Sequence, residues 1–145
     1  MTNDSPALAL VGLSLCEAGD KLDAWSRALF LVSFLVLLLG ASLGARHLAM
    51  AVACLACAGG EAFLAWRLAF DRPVFAAWAR LDADRLPGAQ QAFDVALEKV
   101  SKKTPGNRPL AARVAGLKRL FVRQIAAFAG QVVVLLALLE TFHVR

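Results

Sequence analysis

The sequence predicts an all-α membrane protein with three transmembrane helices and a cytoplasmic helical hairpin between spans two and three. The predicted spans are three apolar stretches, at residues 28–45, 48–66 and 120–139, and crossing a bilayer core takes about 20 residues. Of the 16 Lys and Arg residues, 12 lie between Arg67 and Arg123. Charged residues make up 19% of the chain, below the roughly 25% of ordinary soluble domains. A soluble domain of this composition would expose a large apolar surface.

The N-terminal segment, residues 1–27, is predicted to lie in the cytoplasm or at the membrane interface. Its apolar run begins at Pro6 and follows Asp4 instead of basic residues, which argues against a signal peptide. We expect a short apolar helix from Pro6 to Ala18, on the membrane surface or against the bundle, that ends at Gly19. Asp20 is a plausible N-cap for the helix that leads into the first span.

The distribution of positive charge predicts the orientation in a cell inner membrane. With the N-terminus inside, the inner segments hold 14 basic residues and the outer segments hold two, so the positive-inside rule places the N-terminus in the cytoplasm and the C-terminus outside. Residues 140–145 then form an outer tail. Trp25 and Trp66 lie at the predicted inner ends of spans one and two, where aromatic rings favour the headgroup layer.

Residues 67–119 are predicted to form a basic cytoplasmic subdomain. The whole inner segment, residues 67–123, has 12 basic and five acidic residues. Turn-rich sequences at residues 86–88 and 103–109 divide it into helical pieces. The last piece begins near Leu110 and continues into span three, which gives one helix of about 30 residues, or about 45 Å.

This subdomain has two interpretations. In the first, a helical hairpin packs on the stem of span three and anionic lipid headgroups neutralise its charge. In the second, it is a docking surface for a membrane or cytosolic protein partner. Nucleic acid is not a predicted partner, because acidic residues are interspersed and no recognised motif is present. The basic residues predicted to face lipid or a partner are Arg67, Arg72, Arg113, Lys118, Arg119 and Arg123.

Three polar side chains are predicted to form a cluster inside the membrane. Ser33, Glu61 and Gln131 each lie six to eight residues from the basic residue at the inner end of their span, which is about 9–12 Å at helical rise. Ionisable groups at this depth are costly and often functional. In the alternative interpretation, Glu61 extends toward the inner interface and pairs with Arg67 or Arg123.

Cysteine and histidine residues supply two weaker candidates. Cys54 and Cys57 form a C-x-x-C pair inside span two, far from a helix N-terminus that would activate a thiol. We interpret them as small packing residues, with a thiol oxidoreductase as the alternative. His47, Glu140 and His143 lie near the predicted outer face, but metal sites usually need three or four convergent ligands. No metal or cofactor is predicted, and these three residues are weak candidates.

The predicted function is non-enzymatic, with no catalytic residues: an accessory, assembly or regulatory membrane protein that presents a basic helical surface to the cytoplasm. The alternatives are a membrane redox protein that uses the cysteine pair or the two histidines, and a small oligomeric transporter or channel subunit that uses Glu61. Gly40 and Gly44 form a G-x-x-x-G pair, which supports close helix packing within the chain or in a homo-oligomer.

Overall fold

The computed structural model describes residues 5–39, 44–101 and 108–143, and all the secondary structure in these ranges is helical. The prediction of an all-α bundle is therefore confirmed. Three helices have 34 residues each, about 50 Å at 1.5 Å per residue, and each packs on the other two. The helices are α1 (Pro6–Leu39), α2 (Ala45–Trp78), α3 (Leu86–Ser101) and α4 (Leu110–His143).

Buried positions recur every seven residues along the three long helices. The period of 3.5 residues per turn is that of coiled-coil packing, and it keeps one seam of each helix facing its partners. The contacts show that α1 and α4 are parallel to each other and that α2 is antiparallel to both. The buried series is 12, 19, 26 and 33 in α1, 47, 54, 61, 68 and 75 in α2, and 110, 117, 124, 131 and 138 in α4.

The bundle has two halves of opposite polarity. We call residues 24–39, 44–66 and 124–143 the apolar half, and the remaining described residues the basic half. Of the 22 large hydrophobic side chains that are exposed among the described residues, 15 belong to the apolar half. All nine residues of the buried hydrophobic cluster belong to the basic half: Ala9, Cys16, Leu68, Phe75, Trp78, Leu86, Leu110, Val114 and Leu117.

Aromatic side chains join the short helix α3 to the end of the bundle. The ring of Trp78 meets Phe75 and Phe93 edge-on, with centroid distances of 5.4 and 5.6 Å. The Cζ atom of Arg113 lies 5.5 Å from the Trp78 ring centroid, and its guanidinium also bonds the Asp94 carboxylate. The basic half therefore has the apolar core and charged surface of a water-soluble protein.

The N-terminal helix differs from the expectation. α1 runs without a break through Gly19, so neither the predicted end at Gly19 nor the predicted cap at Asp20 occurs. A Cβ atom on Gly19 would lie 2.8 Å from Leu68 Cδ1 and 2.9 Å from Gln124 Oε1. This glycine permits close approach of α2 and α4, and the helix continues because its packing outweighs the low helix propensity of one glycine. Asp20 instead pairs with Arg72, with 2.6 Å between Oδ2 and Nη1.

Two helices of the described chain, α2 and α4, are long and apolar enough to cross a membrane, not the three predicted. Only 22% of the most apolar window of each is buried in the bundle. In α1 the described apolar run after Arg27 ends at Leu39, and 12 residues are too few to cross a bilayer core. Residues 40–43 of the predicted first span lie outside the described residues, and Ala45, its predicted last residue, is the first residue of α2 instead.

Candidate functional site

Polar side chains lie inside the apolar half, where the three helices meet. Ser26 and Gln131 are buried and bond each other reciprocally. The Ser26 hydroxyl donates to Gln131 Oε1 at 2.8 Å, and Gln131 Nε2 donates to the Ser26 carbonyl at 3.0 Å. This pair joins α1 to α4 through two hydrogen bonds and satisfies the amide of Gln131.

A second polar layer, one heptad away along α4, joins all three helices. Gln124 Nε2 donates to the Gly19 carbonyl at 2.9 Å and to Glu61 Oε1 at 2.6 Å. Glu61 and Gln124 are fully buried. Glu61 Oε2 and Gln124 Oε1 have no hydrogen-bond partner within the described chain. The layer thus holds a buried carboxyl group with one oxygen uncommitted.

The structure buries Ser33, Glu61 and Gln131 but places them in separate bonds. Glu61 bonds Gln124, not Gln131. Ser33 lies one heptad farther along α1, where its hydroxyl donates to the Leu29 carbonyl at 2.8 Å and accepts from the Cys54 thiol at 3.1 Å. Helical rise predicted a similar depth for all three, but depth alone does not decide which side chains meet.

Sequence reasoning missed Ser26 and Gln124, which hold the predicted residues in place. A signal for both was present. Ser26 precedes Ser33 by seven residues, and Gln124 precedes Gln131 by seven. A seven-residue spacing returns side chains to the same seam of a packed helix, so the repeat identifies two polar layers in the bundle interior.

The two cysteines of the C-x-x-C pair face different helices. Cys54 is buried against Ser33 on α1. Cys57 is half-buried, and a Cβ atom on Gly130 of α4 would lie 3.4 Å from its Sγ. Both thiols are free. This separation suits packing residues better than a pair that forms a disulfide during catalysis.

Of the three weak metal candidates, His47, Glu140 and His143, the structure describes two side chains. His47 is buried and Glu140 is exposed, while the side chain of His143 lies outside the described residues. Among the described side chains, no three His, Cys, Asp or Glu residues are placed to share a metal ion.

A groove of about 320 Å³ opens beside Glu61 between α1 and α2. Its floor on α2 is formed by small residues, and a Cβ atom added to Gly59 would meet nothing within 4 Å. Arg27 and Ser26 close its other side. The groove therefore opens to the apolar surface beside Glu61, whose carboxyl group stays buried.

A larger cavity, of about 370 Å³, lies between α2 and α4 in the basic half. Arg119 and Arg123 of α4 and Arg67 of α2 line it, together with Asp71. Arg113 forms part of the wall, where its Nε also donates to the Arg108 carbonyl at 3.2 Å. The cavity therefore brings arginine side chains from α2 and α4 together in one positively charged concave surface.

The structure divides the six predicted basic residues into two groups. Arg67, Arg113, Arg119 and Arg123 line the cavity. Arg72 and Lys118 do not: Arg72 pairs with Asp20, and Lys118 is exposed. These sites have to be interpreted from their own geometry, because no family model matches the chain and no curated protein or solved structure is significantly similar to it.

Proposed function

We propose that this chain is a non-catalytic integral membrane protein that presents its basic half to the cytoplasm as an accessory, assembly or regulatory subunit. The reversal of polarity between the two halves carries the proposal. In water the apolar half would expose 15 of the 22 large hydrophobic side chains that lie on the surface of the described chain, whereas lipid would cover them. The described serine and glutamine side chains of this half, and Glu61, are buried, as polar groups in membrane helices generally are.

The predicted first span becomes a third proposed span beside α2 and α4, of which residues 28–39 of α1 are described; Ala45, its predicted last residue, instead begins α2. Support comes from the packing of α1 against both of these helices and from its exposed Leu31, Leu35 and Leu38. Because the three helices lie side by side, a bilayer that contained α2 and α4 would also surround this part of α1. Residues 48–66 and 120–139 are the other two spans.

The inner face of the proposed topology is the basic half. Trp25 and Trp66 are 67% and 65% exposed, and both lie where the apolar surface gives way to charged residues. Such positions suit amphipathic rings in the headgroup layer. Among the described residues the apolar half has four charged side chains: Arg27, Arg46, Glu61 and Glu140.

Fractionation and fusions test the topology. We expect the full chain to stay in the membrane pellet after extraction with alkaline carbonate. Alkaline phosphatase fused after Arg145 should be active, and the same enzyme inserted at Thr104 should be inactive. Release of the protein by carbonate would contradict the membrane assignment, while the reverse pattern of activity would overturn the orientation alone.

Site-specific photocrosslinking in intact cells tests the accessory role. We expect a photoreactive residue in place of Arg80 or Val100, both exposed in the basic half, to give the same discrete protein adduct. The matched control replaces Arg46, which is exposed at the other end of the bundle, and should not give that adduct. The accessory role is contradicted if neither position in the basic half yields a protein adduct.

A second candidate is a subunit of an oligomeric transporter or channel, and the uncommitted Oε2 atom of Glu61 favours it. A groove lined in part by Glu61 opens to the apolar surface, while the Oε2 atom itself is buried. Glu61→Gln keeps the shape and removes the ionisable group. If the variant accumulates normally and still supports wild-type growth and wild-type ion flux in vesicles, the transport candidate fails.

A further inference from the structure

The cavity between α2 and α4 has an unusual charge for a concave site. Among the described residues, its charged lining consists of five arginines and one aspartate, Asp71. Like charges in one concavity repel each other and raise the local concentration of anions. A cavity with this lining is a better receptor for an anion than for a neutral or cationic ligand.

Three of these arginines are free to bind a ligand. In the described chain, no ion pair or hydrogen bond engages the guanidinium groups of Arg67, Arg119 or Arg123. Arg113 differs, because Asp94 and the rings of Trp78 and Phe93 hold it in the wall. The cavity therefore combines one fixed guanidinium with three whose donors are uncommitted.

The chemistry and the position both favour phosphate. Guanidinium groups are planar forks of N–H donors that match phosphate oxygens, and arginine is preferred wherever such planar recognition is needed. Arg67 directly follows Trp66, whose exposed ring marks the edge of the apolar surface. Under the proposed topology this is the depth of the lipid phosphates.

We propose that the cavity between α2 and α4 binds a phosphate group through Arg67, Arg119 and Arg123, with Arg113 fixed as part of its wall. The group can come from an anionic lipid or from free phosphate. The lipid source rests on the proposed membrane topology, whereas phosphate binding itself does not.

The test compares ligands and variants of the full chain in a phosphate-free, non-ionic detergent. The ligands are short-chain phosphatidic acid, phosphatidylglycerol, phosphatidylcholine and inorganic phosphate, with bound lipid counted by native mass spectrometry and phosphate measured by titration calorimetry. The cavity variant is Arg119→Gln with Arg123→Gln. The control, Arg80→Gln with Arg85→Gln, removes the same charge from exposed residues outside the cavity.

We expect the anionic lipids to bind more tightly than phosphatidylcholine. The cavity variant should weaken this binding by about 10-fold or more, since each arginine near an anionic surface contributes on the order of 1 kcal/mol, and the control by less than about 3-fold, as expected for exposed charges outside the site. Cavity-dependent binding of inorganic phosphate at equal affinity supports the phosphate site and assigns it to the free anion.

Two results would overturn the proposal: no binding of either phosphate source, or equal loss of binding in the cavity and control variants. Circular dichroism of both variants checks that they fold, which we expect because all four substituted arginines are exposed. Carbonate extraction of the same variants reports on the membrane topology separately. A failure of lipid binding is thereby distinguishable from a failure of the proposed function.

Discussion

The two halves of this bundle use the same helices and the same seven-residue spacing but opposite chemistry. In the basic half, Leu68, Phe75 and Leu117 fill the seam, and the surface is charged. In the apolar half the seam holds Ser26, Glu61 and Gln131, and leucine, valine and phenylalanine lie on the surface. The difference teaches that the spacing determines which positions are inside, whereas the surroundings determine what kind of residue belongs there.

Under the proposed membrane topology, the reason is that the driving force for helix association differs between water and lipid. Water favours the burial of apolar area at roughly 25 cal/mol per Å². Lipid is as apolar as leucine, so helices in a membrane associate through close packing and hydrogen bonds. Gly130 beside Cys57 and Ser26 bonded to Gln131 are contacts of this second kind. Each of the following predictions tests one side of this comparison.

The largest effect is expected at Cys16, a buried thiol in the core of the basic half. Burial, and then the nearby Asp71 and Asp20 carboxylates, raise the pKa of Cys16 from 9.0 to about 12. Because the thiolate is the reactive form, alkylation at pH 8 should be roughly 1000-fold slower than for an ordinary thiol. The measurement uses a chain with Cys54→Ala and Cys57→Ala.

The matched control for this labelling places a thiol on the surface of the same helix. Ser14 is exposed, so Ser14→Cys, with all three native cysteines replaced by alanine, should react at an ordinary rate. In denaturant the two thiols should react equally. Rapid alkylation of Cys16 in the folded protein would show that water reaches this core.

The next effect concerns the apolar packing of the basic half. Phe75→Ala should lower the free energy of unfolding by about 3–5 kcal/mol, through lost burial and a residual cavity. Gly12→Ala should also destabilise, because its Cβ would lie 2.3 Å from Phe75 Cδ1. In the Phe75→Ala background the same glycine substitution should be tolerated.

A double-mutant cycle measured by denaturant titration in detergent checks this pair. Gly116→Ala is the control, because a Cβ there meets nothing within 4 Å and alanine is favoured over glycine in a helix by about 0.5–1 kcal/mol. Additive effects of Gly12→Ala and Phe75→Ala would contradict the contact.

The third effect compares the two surfaces directly. Val133 and Val100 are both exposed, at 64% and 85%, but they belong to opposite halves. Val133→Asp should disfavour membrane insertion by about 3 kcal/mol, the scale for aspartate within a span. Val100→Asp should change insertion by less than about 0.5 kcal/mol, as is usual for exposed sites. The fraction of each variant that stays in the membrane pellet after carbonate extraction measures its insertion. Equal fractions for the two variants would contradict the difference between the two surfaces.

The smallest effect is expected in the polar seam. Gln131→Leu leaves the Ser26 hydroxyl without its acceptor and should cost about 1–2 kcal/mol of unfolding free energy. Adding Ser26→Ala should recover part of this loss, because removing both partners leaves no unpaired group. Unfolding in mixed detergent measures the cycle, and a further loss on adding Ser26→Ala would argue against the hydrogen bond.

Particular residues show how far the sequence could predict this structure. The apolar runs and the flanking arginines were enough to predict an all-helical bundle and the interior position of Gln131. The prediction that a helix ends at Gly19 was wrong. Glycine is typical of helix ends, and the local sequence does not show that α2 and α4 pack against this residue. The Glu61–Gln124 bond was missed because Gln124 and Gln131 lie on the same seam of α4, one heptad apart, and only the register of α4 against α2 selects between them.

The sequence by itself determined the helical content, the two apolar runs within α2 and α4 and the concentration of charge between Arg67 and Arg123, because these depend on composition and local periodicity. Only the tertiary structure decided which polar groups meet, that Arg67 of α2 faces Arg119 and Arg123 of α4 across one cavity, and that Arg72 is paired elsewhere. Those outcomes depend on the relative rotation and register of packed helices. Both are set by side-chain contacts between segments far apart in the chain.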